Sequence, residues 1–354
     1  VFLVVSCPCA LVISVPLSFF GGIGGASKKG ILIKGSTYLE ALSKADTFVF
    51  DKTGTLTKGS FRVVDVHPEE ISEEELLGYA AAAESFSGHP IAASILKANS
   101  RRIDPDRFGE VAELPGRGMK AVYDGKTVCV GNCALMDDIG ADWHDCELTG
   151  TIVHVSVNCK YMGHIIISDE PKPDSAATVA GLQRAGVARV VMLTGDKKAV
   201  GEAVAKELGV PEVFAELLPA DKVAKVEALL AEKPEGTTLA FVGDGVNDAP
   251  VLTRADVGVA MGALGSDAAI EAADVVLMDD KPSKLVTALA ISRKTMRIVR
   301  ENIVFALAVK AVILALGALG IATMWLAVFG DVGVLILAVL NAMRTLNVKE
   351  FGAE

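Results

Sequence analysis

The apolar residues of this 354-residue chain are unevenly spread, and that distribution limits the fold before any motif is read. They collect in roughly the first 24 and the last 50 residues, while the stretch between is an ordinary globular mixture rich in Asp, Glu and Lys. A helix that crosses a bilayer needs about 20 mostly apolar residues. Three stretches approach that length: Val1 to about Ile23, Ile303 to about Ile321, and Trp325 to about Leu340. The last two form a hairpin, because residues 320–323 are too few and too uncharged to be a loop of any size. Lys28, Lys29 and Lys34 follow the first span; Arg293, Lys294, Arg297 and Arg300 precede the second; Arg344 and Lys349 follow the third. The hairpin turn has no Lys or Arg, so by the positive-inside rule the soluble body is cytoplasmic. The expectation is an integral membrane protein, of a plasma or inner membrane, in contact with lipid.

Charge removes one class of function. The formal net charge is −10, and the Lys and Arg residues are interspersed with acids rather than clustered. Binding to a phosphate backbone needs clustered cations, so no nucleic-acid partner is expected. Among six cysteines, Cys129, Cys133, Cys146 and Cys159 lie in the body without a CxxC pair and read as thiols of a reducing compartment. Cys7 and Cys9 are different, since "SCPCALVISVP" places them inside an apolar run. That run is not a signal peptide: no basic segment precedes it and no small-residue cleavage site ends it. It reads as a helix entered midway, so the chain is expected to be a fragment.

In the body, strand-like apolar runs each end in a polar cluster. "TFVF" leads into Asp51 of "DKTGTLT", "VVML" into Thr194, Gly195 and Asp196, and "LAFV" into "GDGVNDAP" at Gly243 to Pro250. Helical patterns such as 198–208 and 220–231 alternate with them, the signature of βαβ units and a parallel sheet. Ligands of such sheets bind beyond the carboxyl ends of the strands, so Asp51, Thr194, Asp244 and Asp248 are expected on one rim. Carboxylates that hold a hard cation, beside a Lys and small loops that neutralise phosphate oxygens, suit phosphoryl transfer with Mg²⁺.

"DKTGTLT", "TGD", "LPADKV" and "GDGVNDAP", in that order, resemble the haloacid dehalogenase-type phosphorylation domain of P-type ATPases. The resemblance implies that Asp51 accepts the γ-phosphate of ATP, with Lys52 and Thr53 beside it. It assigns Mg²⁺ to Asp51, Asp244 and the Thr53 backbone carbonyl. Thr194, Gly195, Asp196 and Lys222 then match the phosphate contacts, and Asn247 and Asp248 complete the site. A phosphatase on the same scaffold resembles a DxD pattern, in which the second acid protonates the leaving group and activates water. Position 53 is Thr here, so the aspartyl phosphate is expected to persist.

The segment from Gly59 to about Ile165 interrupts this unit where P-type ATPases carry their nucleotide-binding domain. "ESFSGHPIA" places Glu84, His89 and Pro90, "PGRGM" supplies Gly116 and Gly118, and "VGN" supplies Gly131 and Asn132. Alone, a His-Pro is a turn and a GxG is a weak signal; together they look like the adenine pocket of the heavy-metal branch. The insertion has no Walker loop, so the other domain is expected to grip the phosphates. Gly88 departs from the many relatives that have Glu there.

Positions i and i+2 of a regular α-helix point about 200° apart, so Cys7 and Cys9 share an ion only if the helix is locally unwound. Pro8 and Pro16 each remove a donor and are expected to unwind it. Broken membrane helices are tolerated where they line a cavity, and thiolates suit Cu⁺, Zn²⁺, Cd²⁺ or Pb²⁺. Lys310 in the second span and Asp331 in the third are costly in lipid unless paired or used in transport. Copper pumps resemble a different pattern, with Asn and Tyr, then Met and Ser, on these helices. The CPC, Lys and Asp set looks like the zinc/cadmium/lead-exporting branch, with Cys7, Cys9 and Asp331 as ion ligands and Lys310 as the counter-charge at release.

The expected fold class is therefore an α/β haloacid dehalogenase-like (Rossmann-like) phosphorylation domain with an inserted α+β nucleotide-binding domain and α-helical membrane segments. Its boundaries are 1–40 for the CPC helix and its extension, 41–58 and 166–285 for the phosphorylation domain, 59–165 for the insertion, and 286–354 for two helices and a tail. The expected activity is ATP-driven export of a soft divalent metal. The actuator domain with its "TGE" loop and the upstream helices are expected partners outside this chain, which carries no "TGE". A Cu⁺ pump and a non-catalytic membrane metal-binding scaffold are the alternatives.

Overall fold

The structure, a computed structural model, describes residues 8–144, 146, 150–244, 248–262 and 267–347. The chain divides into two compact units, one formed by residues 1–56 and 172–354, the other by Thr57–Pro171. Thirteen strands run along the described chain: β1 (Ile31–Ile33), β2 (Ala45–Asp51), β3 (Thr57–Pro68), β4 (Phe108–Leu114), β5 (Gly118–Tyr123), β6 (Lys126–Gly131), β7 (Thr151–Val157), β8 (Lys160–Pro171), β9 (Arg189–Leu193), β10 (Glu212–Phe214), β11 (Thr238–Gly243), β12 (Val257–Met261) and β13 (Val275–Leu277).

The first unit is built on a seven-stranded sheet in the order β1-β13-β12-β11-β2-β9-β10. All neighbours are parallel except β1, which runs antiparallel to β13. β12 is buried along its whole length, and β2 and β11 along most of theirs, on both faces. Continuous apolar runs rather than alternation follow from that double burial. The helix expected at 198–208 is Lys198–Leu208, closed by Gly209 in the left-handed conformation (φ 71°) that an L side chain resists. The helix expected at 220–231 is Pro219–Glu232, with proline in its first turn, where a missing N–H costs nothing. The alternation of strands and helices and the parallel sheet thus agree with the sequence pattern.

Three helices of this unit are long and apolar enough to cross a membrane: Cys9–Ser27, Lys284–Ala318 and Met324–Leu346. Of the two prolines expected to unwind the helix, Pro8 stands outside helical geometry (ψ 37°), and only the expectation at Pro16 needs correction. Pro8 stands at the N-cap, where its carbonyl accepts from Leu11 and Val12 at 3.0 Å. Pro16 lies inside a continuous helix, as membrane helices allow when neighbours satisfy the freed carbonyl. The helix Lys284–Ala318 starts well before the apolar stretch. At about 1.5 Å per residue it extends beyond the roughly 30 Å hydrocarbon core, and its first turns place Leu285 and Leu289 in the sheet's own core. Close packing with the first helix depends on Gly21 and Gly22, where a Cβ would come 2.1 Å from Thr345 Oγ1 and 2.4 Å from Thr295 Oγ1.

The second unit is an antiparallel six-stranded sheet, β3-β8-β7-β6-β5-β4. The helices Glu73–Glu84 and Pro90–Ala98 cover one face around Leu76, Ala80, Ile95 and Ile165. Ser72 and Glu75 form a capping box at the first of them. The other face carries a smaller cluster of Cys129, Leu135, Met136 and Tyr161. The compact unit spans Thr57–Pro171, and those two residues, at the start of β3 and the end of β8, are cross-strand partners of each other.

Candidate functional site

The rim of the parallel sheet is assembled by strand ends. β2 terminates in Asp51, and the chain then turns through Lys52–Leu56, with Thr53 extended (ψ 130°) and Gly54 left-handed (φ 73°). A Cβ at Gly54 would sit 1.4 Å from Asp244 Oδ2, so glycine is needed for both its φ and its lack of bulk. Asp244 follows β11, and Asp248 caps the helix Ala249–Arg254. Asp51, Asp244 and Asp248 each present a carboxylate oxygen, all within 4.8 Å of one another. Lys222 Nζ lies 2.5 Å from Asp51 Oδ1 and 3.3 Å from Asp248 Oδ1. These residues line a cavity of about 300 Å³ with Thr53, Thr194, Gly195 and Asp196. Lys52 is buried and ion-paired to Asp196, and the Thr194 hydroxyl accepts the Asp196 N–H at 3.1 Å. Asn247 lies outside the described residues.

Crowded carboxylates leave an electrostatic mark. Burial, then the Asp248 charge, push the Asp51 carboxyl up to about 7 against the opposing pull of Lys222. Asp244 is pushed up to about 6 by burial and Asp248, with Lys172 opposing. Burial works to lower Lys222, but the charges of Asp51 and Asp248 outweigh it and its pKa is raised. Three carboxylates against one ammonium, all hard oxygen donors in a small cleft, fit a Mg²⁺ ion.

Two residues of this site had no motif to announce them. Lys172 is buried; its Nζ donates to the Gly54 carbonyl at 2.6 Å and pairs with Asp280 at 2.9 Å. It ties the Asp51 loop to a residue 108 positions along the chain. The available signal was a lysine directly after the last strand of the insertion, in "DEPKPD".

In the second unit a cavity of about 370 Å³ gathers Glu84, His89, Gly116, Gly118, Gly131 and Asn132. Pro90 is not in its lining; it is the first residue of the helix that His89 caps, with His89 Nδ1 accepting the Ile91 N–H at 3.2 Å. Gly118 and Gly131 are cross-strand partners. A Cβ on Gly118 would lie 2.1 Å from the Val130 carbonyl, and one on Gly131 2.1 Å from that of Arg117. The two strands therefore approach where no other residue fits. Asn132 donates to the Gly116 carbonyl at 2.9 Å and bridges the two glycine loops. Glu84 is buried, and that burial raises its pKa. Glu113, Arg117 and Thr151–Val153 also line the cavity and were not expected from sequence.

Between the apolar helices, Lys310 Nζ stands 3.8 Å from Asp331 Oδ1. Asp331 lies on a single wide π turn, Phe329–Gly333, within the third helix. Such turns concentrate at functional sites. Cys7 lies outside the described residues. Cys9 opens the first helix, and the next residue, Ala10, packs against Ala306, one turn from Lys310, and Val334, one turn from Asp331. Cys9, Lys310 and Asp331 are thus at one level of the three helices.

The haloacid dehalogenase-like hydrolase family matches residues 45–256, more than half of the chain, and the chain belongs to it. Within that family the similarity is to metal-transporting ATPases. The chain is 57% identical over 350 residues to the cadmium, zinc and cobalt-transporting ATPase of Bacillus subtilis, covering 99% of this chain and 50% of the relative. It is 54% identical over 346 residues to the zinc-transporting ATPase of Synechocystis sp., covering 97% and 48%. The chain spans about half the length of the curated relatives it matches. The solved structure of a zinc-transporting PIB-type ATPase in the E2.Pi state matches with a TM-score of 0.85 at 37% identity, covering 97% of this chain and 57% of that one. The catalytic domain of the CPx-ATPase CopB-B matches with a TM-score of 0.61 at 31% identity, covering 74% and 96%. The resemblance to P-type ATPases read from the motifs and the fold class both hold. With three apolar helices of spanning length, the chain is an integral membrane protein.

Proposed function

We propose that this chain is the nucleotide-binding and phosphorylated half of an ATP-driven exporter of soft divalent metal ions, Zn²⁺ and Cd²⁺ and also Pb²⁺, with its soluble units in the cytoplasm of a cell whose plasma or inner membrane it spans. The observation that carries the reading is the Asp51 carboxylate held 2.5 Å from Lys222 inside a ring of two further carboxylates. A nucleophile in that position attacks the γ-phosphorus of ATP: one Asp51 oxygen forms the new P–O bond, the bond to the β-phosphate oxygen breaks, and ADP leaves. Lys222, Thr194 and the Gly195 backbone are the groups that face the transferred phosphoryl oxygens. Mg²⁺, held by Asp51, Asp244 and the Thr53 carbonyl, supplies the charge neutralisation that the carboxylate excess requires. Lys52, paired with Asp196, fixes the loop rather than touching phosphate.

Adenine is bound in the second unit. Gly118 and Gly131 open a flat floor, and Glu84 and His89 border it. His89 accepts through Nδ1, which leaves its Nε2 as the group facing outward to a ligand. Thr53 offers no carboxyl group to activate water, so dephosphorylation falls to the actuator domain supplied by the remainder of the protein, with its upstream helices completing the membrane path. There, Cys7, Cys9 and Asp331 bind the departing ion, with both cysteines in the reduced form; Cys9 is disulfide-bonded in this structure. Two thiolates and a carboxylate bring three negative charges, which suits a divalent cargo better than Cu⁺. Lys310 stands in for the ion once it has left.

The test is phosphoenzyme formation. The complete protein is incubated with labelled ATP and a panel of metals, and acid-stable label is followed in the parent and in Asp51→Asn. Label that needs Asp51 and responds to Zn²⁺, Cd²⁺ or Pb²⁺ but not Cu⁺ supports the reading. Label that responds only to Cu⁺, or no label at all, overturns it.

A further inference from the structure

Four of the chain's five histidines, His67, His144, His154 and His164, meet on one face of the second unit, away from the nucleotide cavity. Three are placed there by backbone register. His67 on β3 and His154 on β7 are each the direct cross-strand partner of His164 on β8, so the three side chains stand in one row across adjacent strands. His67 and His164 stack with centroids 5.0 Å apart and planes 4° from parallel, and His144 reaches over them, edge-on to His164 at 5.5 Å.

The hydrogen bonding in this row is incomplete. The Tyr161 hydroxyl lies 2.9 Å from His154 Nδ1 and 3.1 Å from His164 Nδ1. With a single proton it donates to one ring and accepts from the other. His164 is 2% exposed, yet its Nε2 has no hydrogen-bond partner. A buried polar nitrogen left unmatched forfeits its hydration without replacement, and an apolar residue at that position would avoid the cost. Burial, followed by the neighbouring His67, His154 and His144, holds the His164 pKa down to about 4, so the ring is neutral at pH 7.

We propose that His67, His144 and His164 form a binding site for a borderline divalent cation of the Zn²⁺ class, with Tyr161 orienting His164. Neutral imidazole nitrogens are ligands of choice for such ions. A Tyr161 hydroxyl that accepts from His164 Nδ1–H leaves the Nε2 lone pair bare, the outer-shell arrangement that metal-bound histidines use. As placed, His67 Nε2 faces Asp65 Oδ2 at 3.0 Å and His144 Nε2 faces Glu69 Oε1 at 3.1 Å, rather than a common point. Both pairs are partly solvent-exposed and so screened, and turning the rings toward an ion gives up little against three coordinate bonds. The donor set separates this site from the acidic rim, since nitrogen ligands do not suit Mg²⁺.

The experiment uses the full chain in detergent, with Cys7→Ser and Cys9→Ser to remove the thiols and with excess Mg²⁺ to fill the acidic rim. Co²⁺ is titrated as the probe, its visible ligand-field absorption reporting nitrogen ligation, and Zn²⁺ is added in competition. The expected result is one equivalent of Co²⁺, displaced by Zn²⁺, with affinity reduced about tenfold or more in His164→Gln and in His144→Gln. His144 is exposed and outside any helix or strand, so its variant decides the matter if His164→Gln fails to fold. Absence of bound Co²⁺, or binding that neither variant weakens, overturns the proposal.

Discussion

Lys310 Nζ stands 3.8 Å from Asp331 Oδ1, with the two residues on different apolar helices and each almost enclosed by protein. An ammonium in hydrocarbon surroundings is expensive, and a carboxylate at the same depth offsets part of that cost. Lys310→Ala removes the charge that takes the ion's place beside Asp331. In the complete pump it is expected to slow metal release and lower metal-stimulated ATP hydrolysis, with metal binding retained, as measured by metal efflux into vesicles. Unchanged release and unchanged stimulation would remove the counter-charge role from Lys310.

The Gly54 loop is a second point of failure. An alanine there must adopt φ 73°, which costs an L residue roughly 1–2 kcal/mol, and must displace Asp244 as well. Gly54→Ala is expected to abolish phosphoenzyme while leaving nucleotide binding in the other unit intact. Filter-bound label and nucleotide titration read the two effects separately.

Lys172 is expected to act through position rather than chemistry. Its removal leaves Asp280 largely buried and uncompensated and frees the Gly54 carbonyl. Breaking a buried pair on one side costs about 3–5 kcal/mol. Lys172→Met should therefore lower the urea midpoint and the phosphorylation rate together, and Lys172→Met with Asp280→Asn, which removes the unpaired charge and keeps a residue suited to φ 55°, should recover part of the stability without recovering the rate.

Acid should stabilise the Mg²⁺-free chain at this site. Asp51 is raised to about 7 and Asp244 to about 6 in the folded state, above the ordinary 3.8. Between about pH 4 and 7 the folded protein thus holds more protons at these two groups than the unfolded chain does. Their contribution to stability is full below the unfolded pKa and falls as pH rises through the folded values. Asp51→Asn should flatten that fall, and Mg²⁺ added at pH 8 should reverse it in the parent by binding only the folded form. Thermal unfolding across that pH range checks both statements.

In the second unit, Gly131→Val should collapse nucleotide affinity, because its side chain meets the Arg117 carbonyl at the floor of the cavity. Isothermal titration with a non-hydrolysable ATP analogue reads the loss, and retained secondary structure by circular dichroism separates it from unfolding.

Much of the chemistry was legible in the linear order of residues. Asp51, Thr194 and Asp244 could be placed on one rim because each follows an apolar run, and a buried parallel strand must be apolar along its length. The three spans were legible for a similar reason, since lipid requires uninterrupted apolar length. Local signals also fixed two helices to within a residue or so at each end. Other features left no local trace. Whether Pro16 would break its helix depended on neighbouring helices, and it did not. The π turn under Asp331 is likewise not demanded by anything in "VFGDVGV" alone. Lys172 and Asp280 meet across 108 positions, and the His67, His164 and His154 row exists only through strand register. Sequence alone determined which residues carry charge, thiol or hydroxyl and which segments are strand, helix or span, because those follow from composition and period. Tertiary structure decided which of them touch, because cross-strand register and helix contact join residues whose separation along the chain holds no record of their meeting.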